Sequence, residues 1–291
     1  MYYYTNEKRK KEDLCNICGK YKRLTWDHVP PKCCNNHYPI KTNPWTNGMP
    51  QESKYAKKYQ NGIRFRSLCE ECNNKILGAN FDIILEEFSN QIIQKMNNSS
   101  SIVKIPIKVN RLCRAICGHI LATKNYYDNE SLIDKELRKY VLDEKELPPK
   151  GMSLLYWVYP YSTIIIMRDF CACSIYNKYE FPKGMLSIVN SFPCAYIIST
   201  EKEECGLFDL FNVCSSDIDE VVELSVNCRS CYFPNSKHLR PFEWPCNISD
   251  EKDGAAFVLG VKKNIDDSKI AVHSLESVNK IIEKNNISKK W

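Results

Sequence analysis

Four cysteines form two Cys-x-x-Cys pairs separated by 50 residues. The first pair is Cys15 and Cys18, and the second is Cys69 and Cys72. Four thiolates at this spacing can close a tetrahedral zinc site, because each pair brings two sulfur atoms to one side of a turn. The alternative is four ordinary buried thiols, but two-residue spacers in polar loops favour metal. We therefore predict a structural Zn²⁺ ion bound by all four cysteines.

An acidic residue and a histidine stand side by side between the two cysteine pairs. Asp27 and His28 close a short strand-like run and precede two prolines. A carboxylate can hold a hard cation, and an imidazole with an ordinary pKa of about 6.5 can take a proton from water at neutral pH. Since neighbouring residues of a strand point to opposite faces, a bend at 29–31 or irregular hairpin geometry has to bring both side chains to one site. The alternative is a turn pair that caps the loop before the prolines.

Three linked motifs occur in a fixed order, and they read CNICG, TWDHVPPK and SLCEECNNK. Together they resemble the HNH endonuclease family over about residues 13 to 80. The resemblance implies a small, zinc-stapled ββα-metal fold that hydrolyses phosphodiester bonds. It also implies that Asp27 and Asn73 hold a catalytic Mg²⁺ or Mn²⁺ ion and that His28 is the general base.

Two asparagine assignments stay open within this resemblance. Asn74 is the alternative to its neighbour Asn73 as the metal ligand. The middle asparagine of the family name has no obvious counterpart, because Arg64 occupies the position that simple spacing assigns to it. Asn61 is the nearest candidate.

The positive charge of the chain is concentrated at its N-terminal end. Residues 1–75 hold 15 Lys and Arg against 7 Asp and Glu, whereas the remaining residues hold 26 against 28. This asymmetry favours a polyanionic partner for the N-terminal module, although a lysine-rich solvated surface is the alternative. The candidate nucleic-acid-binding residues are Lys32, Lys54, Lys57, Lys58, Arg64 and Arg66.

The rest of the chain predicts an α+β fold. Apolar residues at three- and four-residue steps from Ile76 to Ile93 indicate a helix that leaves the metal module. Further helices are expected at 111–124, 130–142 and 274–285, with His119 as a core residue of the first. Runs of β-branched and aromatic residues predict a mostly antiparallel sheet. The expected strands are 101–109, 154–159, 163–170, 185–190, 195–199 and 255–261.

We expect two units, an HNH module with its exit helix at 1–97 and an α+β domain at 98–291. A content of 43% hydrophobic and 26% charged residues is typical of a globular protein. The opening MYYYTNEKRKK lacks the apolar core of a signal peptide, which favours the reducing cytoplasm, and we expect no membrane segment.

The leading hypothesis is a metal-dependent endonuclease acting on DNA. Small nuclease modules fused to an unrelated domain resemble the effectors of bacterial anti-phage defence, which implies a regulatory protein partner. One alternative is a zinc-stabilised module that binds nucleic acid or protein without catalysis. Another is a restriction-type, sequence-specific endonuclease. The oligomeric state stays open.

Overall fold

The computed structural model describes residues 9–34, 36–46, 49–50, 57–96, 102–159, 164–172, 184–201, 207–227 and 255–259. The helix expected at 274–285 and the candidate Lys54 lie outside these ranges.

The helices lie mainly in the middle of the described chain, between an N-terminal and a C-terminal group of strands. The strands are β1 (Glu12–Leu14), β2 (Tyr21–His28), β3 (Ile40–Thr46), β4 (Met49–Pro50), β5 (Lys57–Tyr59), β6 (Arg64–Cys69), β7 (Ile102–Lys108), β8 (Ser153–Val158), β9 (Ile164–Ala172), β10 (Gly184–Ser191), β11 (Cys194–Ser199), β12 (Phe208–Asp209), β13 (Val221–Asn227) and β14 (Ala255–Leu259). The helices are a π-helix (Glu71–Phe81) continuous with α1 (Asp82–Met96), then α2 (Val109–Ala122) and α3 (Leu132–Leu142), with 3₁₀ turns at Lys32–Cys34 and Leu210–Val213.

The N-terminal module is built on a three-stranded antiparallel sheet in the order β1-β2-β6. In the pairing of β2 with β6, Leu24 lies opposite Cys69 and His28 lies opposite Arg64, with a bulge between Thr25 and Trp26. The π-helix begins two residues after β6 and runs into α1. The sheet and this helix together position the candidate site.

A second, larger sheet has the strand order β12-β8-β11-β10-β9-β14-β3-β4, and β5 pairs with β3. Its pairings are antiparallel except that β14 runs parallel to both β9 and β3. The chain is therefore a mixed α+β protein with mostly antiparallel sheets, as expected. The segment between the two cysteine pairs contributes β3, β4 and β5 to a sheet of mainly C-terminal strands. The boundary at residues 97 and 98 stays a prediction.

Helix α2 is the buried centre of the described structure. Thirteen of its 14 residues are buried, as expected for a helix that is apolar on most sides. It packs against the π-helix, α1, α3 and β10. The helices expected at 111–124 and 130–142 are confirmed, and the expected strands are present within the described ranges, with all of these ends shifted by at most two residues.

Buried charges hold the C-terminal end of α2. Asp134 of α3 accepts a hydrogen bond from Arg168 Nη2 at 2.6 Å and lies 3.0 Å from Lys124 Nζ. All three side chains are almost completely buried, so each charge depends on its partners for the stabilisation that water would otherwise supply. The cluster joins the end of α2 to α3 and to β9.

Gly118 allows α2 to approach the π-helix closely. A methyl group at this position would collide with the Cδ2 atom of the fully buried Leu77. Alanine normally stabilises a helix interior by about 1 kcal/mol relative to glycine, but overpacking a core costs about 1–3 kcal/mol. We therefore expect Gly118→Ala to lower the free energy of unfolding by about 1 kcal/mol, measured by urea denaturation.

The Gly118→Ala/Leu77→Ala pair provides the control for this clash. The effects of the two substitutions should be non-additive, because removing the Leu77 side chain removes the collision. A stabilised Gly118→Ala protein would show that the helices have room to separate there.

Candidate metal centre and candidate active site

The four predicted metal-binding cysteines come together in space. Their Sγ atoms all lie within 4.8 Å of one another, and Cys18 Sγ is 3.9 Å from Cys69 Sγ. Three of the cysteines are buried, and Cys18 is partly exposed. The Cys69 amide donates to Cys15 Sγ at 3.3 Å. Such a cluster can bind a metal ion such as zinc, whose preferred ligand sets include four thiolates.

The electrostatics of the cluster favour at least one thiolate. A hydrogen bond from Cys72 lowers the pKa of Cys15 to about 5, and burial raises the pKa of Cys18 to about 11. The hydrogen bonds of the cluster therefore favour the thiolate form of Cys15. A metal cation takes the place of the remaining thiol protons when it binds, because the metal ligand is the thiolate.

Local turns and one asparagine anchor the first cysteine pair. Gly19 adopts a positive φ of 67° directly after Cys18, a backbone conformation that suits glycine. Asn16 lies between the two cysteines and is buried, and its Nδ2 donates to Leu121 O at 3.0 Å and Lys124 O at 2.8 Å. These carbonyls at the end of α2 have no partner within the helix, so Asn16 docks the cysteine turn onto α2.

Asn73 extends from the start of the π-helix towards β2. Its Nδ2 donates to Thr25 Oγ1 at 3.0 Å and to Trp26 O at 3.2 Å. These two bonds occupy the amide nitrogen, and the amide oxygen, which can only accept, has no hydrogen-bond donor among the described residues. The neighbouring Asn74 is exposed, and no hydrogen bond fixes it among the described residues. Asn73 therefore lies beside the Asp27 and His28 segment.

Asp27 faces inward and pairs with a histidine of α2. The Asp27 side chain is buried, and its Oδ2 is 3.3 Å from His119 Nδ1. The other ring nitrogen, His119 Nε2, is 2.8 Å from Asp82 Oδ1 at the start of α1. An imidazolium carries N–H donors on both ring nitrogens and can bond both carboxylates at once. His119 thus joins three elements: β2, α1 and α2.

The pKa values of His119 and Asp27 follow from burial and charge. Burial disfavours the charged imidazole of His119, but Asp82 and Asp27 outweigh that effect and raise its pKa well above the usual value. Burial also raises the pKa of the Asp27 carboxyl, and His119 opposes that shift. The arrangement is a buried cation held between two acidic groups.

His28 lies on the opposite face of β2. Its Nε2 is 2.9 Å from the backbone oxygen of Asn61, and the ring is partly exposed. A carbonyl only accepts, so Nε2 carries the proton and Nδ1 keeps its lone pair. Desolvation, together with the positive charges of Lys32 and Arg64, lowers the pKa of His28. The ring is therefore neutral at pH 7 and able to accept a proton.

The structure does not bring Asp27 and His28 to one face of the strand. The regular alternation of β2 is kept at its last two residues, so the carboxylate turns towards the helices and the imidazole turns away from them. The bulge that the strand does contain lies one residue earlier, between Thr25 and Trp26. Asn73 is bonded to Thr25 and Trp26, the two residues that directly precede Asp27.

Two residues that sequence reasoning missed hold the site together. Asn36 is completely buried, and its amide donates to Pro30 O at 2.7 Å and Ile63 O at 2.9 Å while accepting from the Ile63 amide at 2.8 Å. It fixes the loop after His28 to the start of β6, whereas Asn61 contributes a backbone carbonyl. His119 was expected in the core and is buried, but with ionic partners. A titratable residue within a mostly apolar stretch of α2 was the signal available in the sequence.

Four of the candidate nucleic-acid-binding side chains are described. Lys32, Lys58 and Arg64 are exposed, and Arg66 is partly exposed. The backbone of Lys57 lies in β5. Lys32 and Arg64 are close enough to His28 to lower its pKa, so they place positive charge around the candidate base.

The chain matches no protein-family model, no curated protein and no solved structure. Among the described residues, no helix has the length and apolar character needed to cross a membrane. The candidate site therefore rests on its own geometry.

Removing the His119 side chain should destabilise the protein strongly. His119→Ala leaves the buried Asp27 and the partly buried Asp82 without their shared cation, and losing one partner of a buried ion pair costs about 3–5 kcal/mol. Urea denaturation measures the loss. The exposed His37 provides the matched control, and His37→Ala should stay within about 0.5 kcal/mol of the parent. Equal stability of the two variants would contradict a charged role for His119.

Loss of one clustered cysteine should release the bound metal. We expect about one equivalent of zinc in the parent protein by elemental analysis, and little in Cys72→Ser, because one of four thiolate ligands is lost. Cobalt substitution should give the absorption bands of a tetrahedral thiolate site in the parent alone. Cys33→Ser, outside the cluster, is the control and should keep its zinc. Full zinc content in Cys72→Ser would contradict the four-thiolate site.

Proposed function

We propose that this chain is a metal-dependent endonuclease of the HNH type that hydrolyses DNA phosphodiester bonds. The observation that carries the proposal is the hydrogen bond from Asn73 to the Trp26 carbonyl. This bond joins Asn73, which directly follows Cys72, to the strand segment that contains Asp27 and His28. The three motifs of the HNH resemblance thus lie in one small module, with Asp27 and His28 on opposite faces of β2.

His28 is the general base of the proposed reaction. The Asn61 carbonyl orients the ring and keeps the proton on Nε2, and the lowered pKa keeps Nδ1 free to take a proton from an attacking water molecule. Partial exposure lets water and a phosphate group reach the ring. The nearby Lys32 and Arg64 attract the negative phosphate.

The oxygen donors beside the strand fit a hard divalent cation such as Mg²⁺ or Mn²⁺. Asp27 would supply a carboxylate and Asn73 its amide oxygen, which has no hydrogen-bond donor among the described residues. When bound, such a cation would offset the charge that develops on the phosphate and on the leaving oxygen. The Asp27 carboxylate is shared with His119, so a cation has to compete with the imidazolium for it.

Zinc in the four-thiol cluster has a structural role in this proposal. It ties the turn before β2 to the start of the helix that carries Asn73. Structural zinc sites contribute directly to the folding free energy of small modules. The proposed site should therefore need two metals of different chemistry, one held by sulfur and one by oxygen.

A cytoplasmic effector nuclease of bacterial anti-phage defence is the context that we propose, with DNA as substrate and a regulatory protein as partner. The direct contact between Asp27 and α2 supports such control, because α2 is packed against the rest of the chain. A partner that moved α2 would also change the surroundings of Asp27.

One observation favours a second candidate function, a zinc-stabilised module that binds nucleic acid or protein without catalysis. Asp27 is only 5% exposed and is held by His119, as expected of a structural carboxylate. Such a module would need the cysteines but not the free lone pair of His28. Catalysis is therefore the property that separates the two functions.

Plasmid cleavage tests the proposed function. Purified protein with Mg²⁺ or Mn²⁺ should nick supercoiled DNA, and His28→Ala should lower the rate at least 100-fold because the general base is lost. His37→Ala removes an exposed histidine outside the site and should keep the parent rate. Reactions without added Mg²⁺ or Mn²⁺ are the metal control, since they leave zinc in its thiolate site.

The pattern of products carries further information. A smear indicates a nonspecific nuclease, whereas discrete fragments indicate the restriction-type alternative. Equal nicking by the parent and by His28→Ala, at equal zinc content, would contradict the assignment of the base. DNA binding without cleavage in every metal would favour the non-catalytic module.

A further inference from the structure

Four side chains form two cross-strand pairs on the outer face of the module. Trp26 lies opposite Arg66, and His28 lies opposite Arg64, in the antiparallel pairing of β2 with β6. We call these four residues the Trp26 face. Trp26 and His28 are two residues apart on one strand, so they point to the same side and stand roughly 7 Å apart.

Two guanidinium groups lie over the ring of Trp26. The Cζ atom of Arg66 is 4.5 Å from the ring centroid, and that of Arg64 is 5.2 Å from it. Neither arginine pairs with a carboxylate among the described residues, and all three side chains are at least partly exposed. The Trp26 face therefore combines an indole with two guanidinium groups that have no carboxylate partner among the described residues.

We infer that the Trp26 face binds an unpaired nucleotide of the DNA strand that is cleaved, so that the substrate is single-stranded or locally unpaired DNA. This inference rests on the proposed nuclease function and specifies its substrate. Trp26 and the guanidinium planes stack on the base, while the arginine charges contact the flanking phosphates. The next phosphate along the strand then lies at His28.

The need for an unpaired base follows from the chemistry of stacking. In a duplex, both faces of a base are covered by its neighbours, so an indole at the surface meets only backbone and groove edges. In a single strand the face of the base is open, and aromatic side chains and arginine planes stack on it without reading its sequence. A face built for duplex phosphates alone would need the two arginines but no tryptophan between them.

The spacing along β2 agrees with this arrangement. The step of roughly 7 Å between Trp26 and His28 is comparable to the step between phosphates in an extended single strand. A base stacked on Trp26 therefore brings the adjacent phosphodiester within reach of the His28 ring. The positive charge of Arg64, opposite His28, holds that phosphate in place.

Binding of labelled oligonucleotides tests the inference separately from cleavage. Fluorescence anisotropy compares a single-stranded DNA 20-mer with the blunt duplex of the same sequence, in buffer without added Mg²⁺ or Mn²⁺. We expect the parent to prefer the single strand. Trp26→Ala should weaken single-strand binding about tenfold, the loss typical of one stacked base, and change duplex binding less than twofold. Trp26→Phe should recover most of the loss.

Tyr21 provides a matched control, because it is an aromatic residue on the same strand, 66% exposed and remote from His28. Tyr21→Ala should bind the single strand as the parent does. Salt titrations separate stacking from charge. Arg66→Ala should reduce the slope of log affinity against log salt by about 1, whereas Trp26→Ala should leave the slope unchanged.

The outcomes distinguish this inference from the proposed function. Equal affinity for both DNAs, a preference for duplex, or equal losses in Trp26→Ala and Tyr21→Ala would overturn the inference even if cleavage were observed. Folding of each variant is checked by its zinc content and its unfolding curve. Trp26-dependent single-strand binding with no cleavage in any metal would support the inference as a binding site and contradict the nuclease.

Discussion

The four-thiol cluster is the constraint on which the rest of the candidate site depends. It joins two points that lie about 50 residues apart, the turn before β2 and the start of the π-helix. Cys72 is followed directly by Asn73, so the cluster also determines where that amide meets β2. The turn itself is docked by Asn16 onto the end of α2. One four-thiol cluster therefore connects the strand, the helix and the buried centre of the fold.

The contact of His119 with Asp27 and Asp82 links the candidate site to the remainder of the chain. It places a helix from outside the HNH-like motifs directly against the carboxylate that those motifs contain. His119 and Asp27 are almost completely buried and Asp82 is partly buried, so removing one partner would leave an uncompensated charge with little access to water. The position of Asp27 therefore depends on the packing of α2, and a change in either one affects the other.

Short-range sequence patterns predicted the cysteine pairs and the helices, because each of these features depends on residues that are close together along the chain. Cys15 and Cys69 belong to pairs with a short, specific spacing, and the helix of Val109–Ala122 follows from apolar periodicity. His119 could not be assigned in advance, because its partner Asp27 is 92 residues away and an apolar helix face gives no sign of it. Asn36 carries no sequence signal beyond being an asparagine in a loop. β3 pairs with a strand that lies far away along the chain. The hydrophobic periodicity of a strand does not indicate which other strand it pairs with.

A crystal structure of the protein grown with Mn²⁺ tests the central claim most directly, because anomalous scattering distinguishes manganese from zinc. The account predicts zinc among Cys15, Cys18, Cys69 and Cys72, and manganese between the Asp27 carboxylate and the Asn73 amide oxygen, with His119 moved off Asp27 Oδ2. Zinc in the cysteine cluster with His119 still bound to Asp27, and no manganese beside Asn73, would contradict the proposed catalytic centre and leave the module as a zinc-organised scaffold.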